Sequence, residues 1–401
     1  MSCTLLVRLL AVLLTTFSLY AADLSSFDGT WVMAEAEYDG NSVPSGDISD
    51  VLVTITKGKY AFEKGDTRAN GTFTVDFARK PAVMAFTEVE GPNAGRATLA
   101  LTEMTPTGWR ACYRFDGNGA PESLASTPGS GWLLARYERK PGTSAPVPMP
   151  LRALLILGGC CHDYAAQKEI LKKGLEARAH VQIDIIYSPD GSTRPPLPIL
   201  GNPEYAQGYD VVIHDECAAD ISDQKVVEGV LKPHREGLPA VNLHCAMHSY
   251  RIGNPNEPAT PGTAHGLWFE YLGLQSSGHG PQKPIALSFV ANSGPVTAGL
   301  TNWTTISEEL YNNIKIWPEA KSLARGSQGA GDKPGQNDSV VVWTHEYGPK
   351  KARVFATTLG HNNETVADAR YLDLVTRGLL WSCGKLSDDG KPMMGYAAPA
   401  K

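Results

Sequence analysis

From about Asp23 to Arg139 apolar residues recur with a period of two: Trp31 and Met33, then Val51, Val53 and Ile55, then Phe73, Val75 and Phe77. Turn signals interrupt them at short intervals, among them Asp39-Gly40, Lys64-Gly65-Asp66, Asn70-Gly71 and Asp116-Gly117-Asn118-Gly119. Short alternating strands with such punctuation predict an all-β barrel or sandwich. After residue 150 the rhythm changes. Arg152–Leu157, Val181–Ile186, Tyr209–His214 and Pro239–His244 are near-continuous apolar runs. Helical stretches fall between them, around Lys168–Ala179 and from an N-cap at Ser222 through Val230. This alternation predicts an α/β domain with a mostly parallel sheet covered on both faces. Val340–Thr344 and Val354–Leu359 read as late strands, and Tyr371–Trp381 as a closing helix.

The punctuation also sets the domain limits. Residues 1–22 have the form of a secretory signal: Arg8, an apolar run from Leu9 to Phe17, then Ala21-Ala22 before Asp23. That run is too short to span a bilayer, so the mature chain is expected to be secreted or periplasmic, without stable membrane insertion. A β-domain over 23–140 is followed by a proline-rich connector over 141–150, an α/β domain over 151–386 and a loose tail over 387–401.

Composition narrows the chemistry. Lys plus Arg is 36 and Asp plus Glu 42, for a net charge of −6, so nucleic acid is not an expected partner. Phosphate-cradling glycine loops are absent, so no nucleotide cofactor is expected. All ten histidines lie between His162 and His361. Five of them, His162, His214, His244, His248 and His361, crowd the ends of the expected strands, where open α/β sheets bind ligands. Strand one runs into Cys160-Cys161-His162-Asp163, strand three into His214-Asp215-Glu216-Cys217, strand four into His244-Cys245-Ala246-Met247-His248, and the last strand into Gly360-His361-Asn362. If these ends share a rim, Cys217 could form a disulfide with Cys160 or Cys161.

Two resemblances sharpen this reading. Phe27-Asp28-Gly29-Thr30-Trp31, Trp109–Phe115 and Leu133–Arg139 resemble a small lipocalin-like domain of planctomycete type. Such a barrel could bind an apolar ligand, or Trp31 could simply plug its base. Leu157-Gly158-Gly159 with His162, His244, Trp268–Gly273 before Gly278-His279, Glu308-Glu309-Leu310-Tyr311, Trp343-Thr344 and Leu359–Asn362 resemble the trehalose-utilisation (ThuA-like) family. That family is related in fold to class I glutamine amidotransferases, which implies a flavodoxin-like second domain and a small carbohydrate substrate.

Under this resemblance His162, His244, Glu309 and His361 are the expected catalytic groups, working by acid–base chemistry or around a divalent metal. Asp163, Tyr311, Trp343, His279 and Asn362 are the expected substrate-binding residues. Two alternatives remain: a non-catalytic carbohydrate-binding module, or an amidase-like hydrolase using Cys245 as nucleophile with His248 three residues on.

Overall fold

The computed structural model describes residues 24–77, 79–105, 107–143, 149–329 and 339–398. The expected signal over 1–22 and the 144–148 part of the connector lie outside the described residues. The chain divides at 147/148 into two compact units.

The first unit contains β1 (Gly29–Tyr38), β2 (Asn41–Ser42), β3 (Leu52–Thr56), β4 (Lys59–Lys64), β5 (Thr67–Asp76), β6 (Ala82–Glu90), β7 (Ala97–Thr105), β8 (Gly108–Arg114) and β9 (Leu133–Arg139). β1 pairs antiparallel with β3, each strand from β3 to β8 pairs antiparallel with the next, and β1 pairs with β9, which closes an eight-stranded barrel with β2 as a short addition on β1. Alternation does the sorting: on β5, Ala69, Gly71 and Phe73 are buried while Arg68, Asn70 and Thr72 are exposed. Asp39 and Gly40 both hold positive φ (51° and 77°), the backbone a two-residue hairpin turn demands.

Aromatic rings occupy the barrel interior. Trp109 stacks on Tyr137 with centroids 4.1 Å apart, and Phe27 meets Trp109 edge-on at 5.5 Å. Trp31 is fully buried, donates its indole N–H to the Phe27 carbonyl at 2.7 Å, and carries the Arg139 guanidinium over its face at 4.2 Å. Trp31 is therefore a packed plug.

The second unit runs β10 (Leu151–Gly159), α1 (Tyr164–Glu176), β11 (Val181–Ser188), β12 (Val211–Cys217), α2 (Gln224–Arg235), β13 (Ala240–Leu243), α3 (Leu267–Leu272), β14 (Leu274–Phe289), β15 (Trp303–Ile316), β16 (Lys321–Ser327), β17 (Ser339–Tyr347), β18 (Ala352–Thr357), α4 (Asn363–Ala367) and α5 (Ala369–Ser382). One sheet orders them β11-β10-β12-β13-β18-β17-β16-β14-β15. The five strands from β11 to β18 are parallel, whereas β18, β17, β16, β14 and β15 pair antiparallel. The sheet is thus mixed, not mostly parallel. The reason is connection length: a short turn joins β17 to β18, and a parallel pair would need a crossover of a dozen residues or more.

Successive residues of β10 feed two cores. Leu155 and Leu157 pack with Leu171 and Leu175 of α1 and Leu374 and Leu379 of α5. Leu154 and Ile156 pack with Val227 and Leu231 of α2 and Tyr271 of α3. The cap of α2 is Asp223, whose carboxylate accepts the Val226 N–H at 3.1 Å, rather than the expected Ser222. The C-terminal segment is not loose through residue 398. Tyr396 is buried in the first of these cores, and the N–H of His180 donates to its carbonyl at 3.0 Å.

A polar pair is buried within this unit. His234 Nε2 lies 3.1 Å from His214 Nε2, and His214 Nδ1 lies 2.8 Å from the Glu216 carboxylate. Burial first, then His214, push His234 down to about 3. A depressed histidine leaves the unfolded chain binding more protons below about pH 6.5. Stability should therefore fall with pH between about 6.5 and 3, by at most about 1.4 kcal/mol per unit from this group. Urea unfolding across that window should show the slope, and His234→Gln should lower it by up to that amount.

Candidate metal centre

The strand order reverses at β10, with β11 on one side and β12 on the other, and this is where open α/β sheets form a crevice at their carboxyl ends. His162 leaves the end of β10, His244 follows β13 directly and His361 follows β18, while Glu309 enters from the antiparallel strand β15. One ligand-type atom from each of these four residues lies within 4.8 Å of the other three.

The hydrogen-bond partners fix the tautomers of two histidines. His244 Nδ1 is 2.6 Å from the Thr358 carbonyl, and His162 Nδ1 is 3.2 Å from the Cys160 carbonyl. A carbonyl only accepts, so both Nδ1 atoms carry a proton, which leaves Nε2 as the atom each ring offers to the cluster. Both Nε2 atoms face the cluster. His244 Nε2 is 3.5 Å from Glu309 Oε2, and His162 Nε2 is 3.0 Å from His361 Nδ1. His361 Nδ1 also lies 3.3 Å from Glu309 Oε1. Fixing imidazoles through the second nitrogen is how proteins orient metal ligands.

Charge is arranged to match. Burial, followed by His244 and His361, pushes His162 down to about 3, so it is neutral. Burial alone would raise the Glu309 carboxyl, yet hydrogen bonds from His244 and His361 hold it well below the usual carboxylate range. Its hydrogen bond to Glu309 raises His361, against the pull of burial. Three imidazoles and one ionised carboxylate, mixed N and O donors, suit a divalent first-row transition metal.

The backbone around the site is specialised. His244 opens a 3₁₀ turn after β13 with φ 35°, so the left-handed residue at this strand-to-helix junction is the histidine and not Cys245. Gly159 has φ 105°, and a Cβ there would meet the Cys217 carbonyl oxygen at 2.2 Å. Glu308, fully buried beside Glu309, accepts the backbone N–H groups of His361 at 3.1 Å and Asn362 at 3.4 Å. It thereby holds the loop that presents His361.

The expected substrate-binding residues divide. His279 reaches the mouth, with Nε2 3.5 Å from Glu309 Oε2, and is exposed. Tyr311 is buried behind the cluster, its hydroxyl 3.4 Å from His244 Nε2 and its ring stacked on His248 at 4.3 Å. Trp343 does not join the site. It is a core residue, packed with Tyr271 and Leu272 and donating its indole N–H to the Leu272 carbonyl at 2.7 Å. Asn362 donates its side-chain amide to the Ser307 carbonyl, which ties the loop to β15.

Asp163 is occupied as the N-cap of α1, accepting the Ala166 N–H at 3.1 Å and the Asn363 amide at 2.9 Å. Asp163→Ala should cost about 0.5–2 kcal/mol of stability, as lost caps do. Chemical denaturation should report that loss while metal loading stays at the wild-type level.

Cys245 is buried and faces Cys217 with its sulfur 2.9 Å away. The hydrogen bond to Cys217, with burial, drives its thiol well above the ordinary range. His248, its expected partner, is engaged with Ser276 Oγ at 3.0 Å. A disulfide joins Cys160 to its sequence neighbour Cys161, not to Cys217. Gln282 is a rim residue the sequence did not indicate: its amide nitrogen lies 2.7 Å from His361 Nε2 and 3.3 Å from Glu309 Oε1. It sits on an irregular stretch of β14 with no motif around it.

Residues 153–382 match the family model described as ThuA, trehalose utilisation. The match spans more than half of the chain, and the chain belongs to this family. Among solved structures, a protein described as ThuA-like from Parabacteroides merdae is 20% identical, with a TM-score of 0.43 over 62% of this chain and 97% of that one. A protein described as a GMP synthase component from Thermoplasma acidophilum is 12% identical, with a TM-score of 0.36 over 59% and 94%. An exo-β-1,4-mannosidase from Opitutaceae bacterium strain TAV5 is 10% identical, with a TM-score of 0.31 over 58% of this chain and 35% of that one. No curated protein matches the chain significantly. Among the described residues, no helix is long and apolar enough to cross a membrane.

Proposed function

We propose that this chain is an exported enzyme that converts or hydrolyses a small carbohydrate, a sugar or keto-sugar, at a divalent metal held by His162, His244, Glu309 and His361. The carrying observation is the convergence of four residues, far apart in sequence, that place four ligand atoms within 4.8 Å. The family description, trehalose utilisation, supports the substrate class. The leader-like residues 1–22 support export. The Gly29-Thr30-Trp31 opening of a closed barrel supports a lipocalin-like first domain, with an aromatic interior that favours packing over ligand capture.

A bound cation would supply a Lewis acid for a carbonyl or hydroxyl oxygen. The chain does the rest. His162 and His244 offer lone pairs whose direction their Nδ1–H bonds fix. Glu309 brings the compensating negative charge. His361, with 13% of its side chain exposed, presents the third imidazole at the edge of the cluster open to solvent. His279 and Gln282 line the mouth as hydrogen-bonding groups for a polyol.

The test is elemental analysis of the full-length protein from the periplasm, coupled to a screen of keto-sugars and disaccharides. About one divalent ion per chain is expected, with turnover that His361→Ala abolishes. Failure to bind any first-row divalent ion, or unchanged turnover in that variant, overturns the proposal. Ligand affinity without turnover in the wild type would instead establish a binding module.

A further inference from the structure

Next to the histidine cluster four cysteines form a line from solvent inward. Cys161 is exposed and Cys160 half-buried, and a disulfide joins them. Cys160 Sγ lies 3.3 Å from Cys217 Sγ, and Cys217 Sγ lies 2.9 Å from Cys245 Sγ. Cys217 and Cys245 are both buried. The sulfurs come from the ends of three adjacent strands, β10, β12 and β13. Gly159, with no side chain of its own, lets β10 and β12 close up where the line begins. Cys112 and Cys383, the other cysteines among the described residues, take no part.

We propose that Cys160, Cys161, Cys217 and Cys245 form a thiol–disulfide exchange centre, in which one disulfide moves between the outer Cys160–Cys161 pair and the inner Cys217–Cys245 pair. The sulfur separations are those of reacting atoms already in position, about 3–3.5 Å or less. Exchange proceeds by thiolate attack on a disulfide sulfur. In the first step Cys217, its proton released, attacks Cys160 Sγ. The Cys160–Cys217 bond forms, the Cys160–Cys161 bond breaks, and Cys161 leaves as a thiolate that takes up a proton at the surface. In the second step Cys245 attacks Cys217 Sγ, its proton passing to the departing Cys160 sulfur as the bond forms. The Cys217–Cys245 bond forms and Cys160 leaves as a thiol. One disulfide and two thiols stand on each side, so no oxidant is consumed.

Cys161, the exposed sulfur, is where a small external thiol enters. Two such molecules reduce the centre and depart as their own disulfide. The line borders the metal ligands at both ends, Cys161 preceding His162 and Cys245 following His244. The exchange itself requires no metal, so it stands apart from the proposed function.

The experiment is disulfide mapping of the full chain after equilibration in a series of reduced/oxidised glutathione buffers, acid quenching and alkylation. The wild type should show both the Cys160–Cys161 and the Cys217–Cys245 bonds at intermediate ratios. Cys245→Ala should accumulate the Cys160–Cys217 bond several-fold over wild type, and Cys217→Ser should retain only the outer pair. Circular dichroism checks that the variants fold; if they do not, the wild-type map alone decides. Cys217 and Cys245 alkylated as free thiols in every buffer would overturn the proposal. So would four reduced thiols held by a stoichiometric soft metal ion with no linkage to Cys217 at any ratio.

Discussion

Glu309→Gln is expected to lower metal affinity by at least about 100-fold, since even the outer-shell partners of metal ligands contribute 10–100-fold. The substitution keeps the shape of the side chain and removes its charge. In the wild type that charge is buried and flanked by His244 at 3.5 Å, His361 at 3.3 Å and His279 at 3.5 Å. Hydrogen bonds from His244 and His361 keep the carboxyl ionised in spite of burial. A neutral amide offers one oxygen and no compensating charge to a cation in this low-dielectric setting. Titration calorimetry with a divalent ion, and metal content after dialysis, should both register the loss, along with loss of turnover. Metal content equal to wild type would remove Glu309 from the ligand set.

Gly159→Ala is the second large effect, and it acts through the backbone. With φ at 105°, an L-residue is strained at this position by about 1–3 kcal/mol. The added methyl would also sit 2.2 Å from the Cys217 carbonyl oxygen, a rigid backbone atom of the neighbouring strand. Overpacking of this kind costs a further ~1–3 kcal/mol. The end of β10 must move to relieve it, and His162 lies three residues on. Denaturant unfolding should show the combined loss, and metal affinity should fall with it. Wild-type stability would mean that β10 and β12 approach less closely than the structure shows.

Much of this architecture was legible in the chain because patterning fixes it locally. The period-two runs around Val53, Ile55 and Phe73 placed the barrel strands, and the apolar runs at Leu154–Leu157 and Val211–Ile213 placed the parallel half of the sheet. β14 was not legible. Gly278, Gly280, Pro281 and Pro284 interrupt its alternation, and its pairing with β15 shifts register repeatedly. With β14, β15 and β16 unseen, only β17 of the antiparallel half was read, from Val340–Thr344, and Gln282 stayed hidden.

The gathering of His162, His244 and His361 followed from one rule, that parallel strands deliver their following residues to a common edge. Glu309 obeys no such rule and was found through its Glu-Leu-Tyr phrase. Trp343 shows the opposite failure. Its Trp343-Thr344 phrase suggested substrate binding, but its ring lies on the face of the sheet that α3 covers. Asp163 and Asn362 stand where polar residues are wanted for two reasons at once, capping and recognition, and hydrogen bonding within the fold claims both.

The left-handed backbone of His244 has an evolutionary corollary. Glycine would relax the backbone there, but it would also empty a buried site and leave the Thr358 carbonyl without its donor. An imidazole persists there at a cost of about 1–3 kcal/mol of local strain. Descendants freed from the need for this chemistry should drift toward asparagine, which tolerates that backbone and keeps an N–H donor, and the substitution would mark a scaffold that has outlived its reaction.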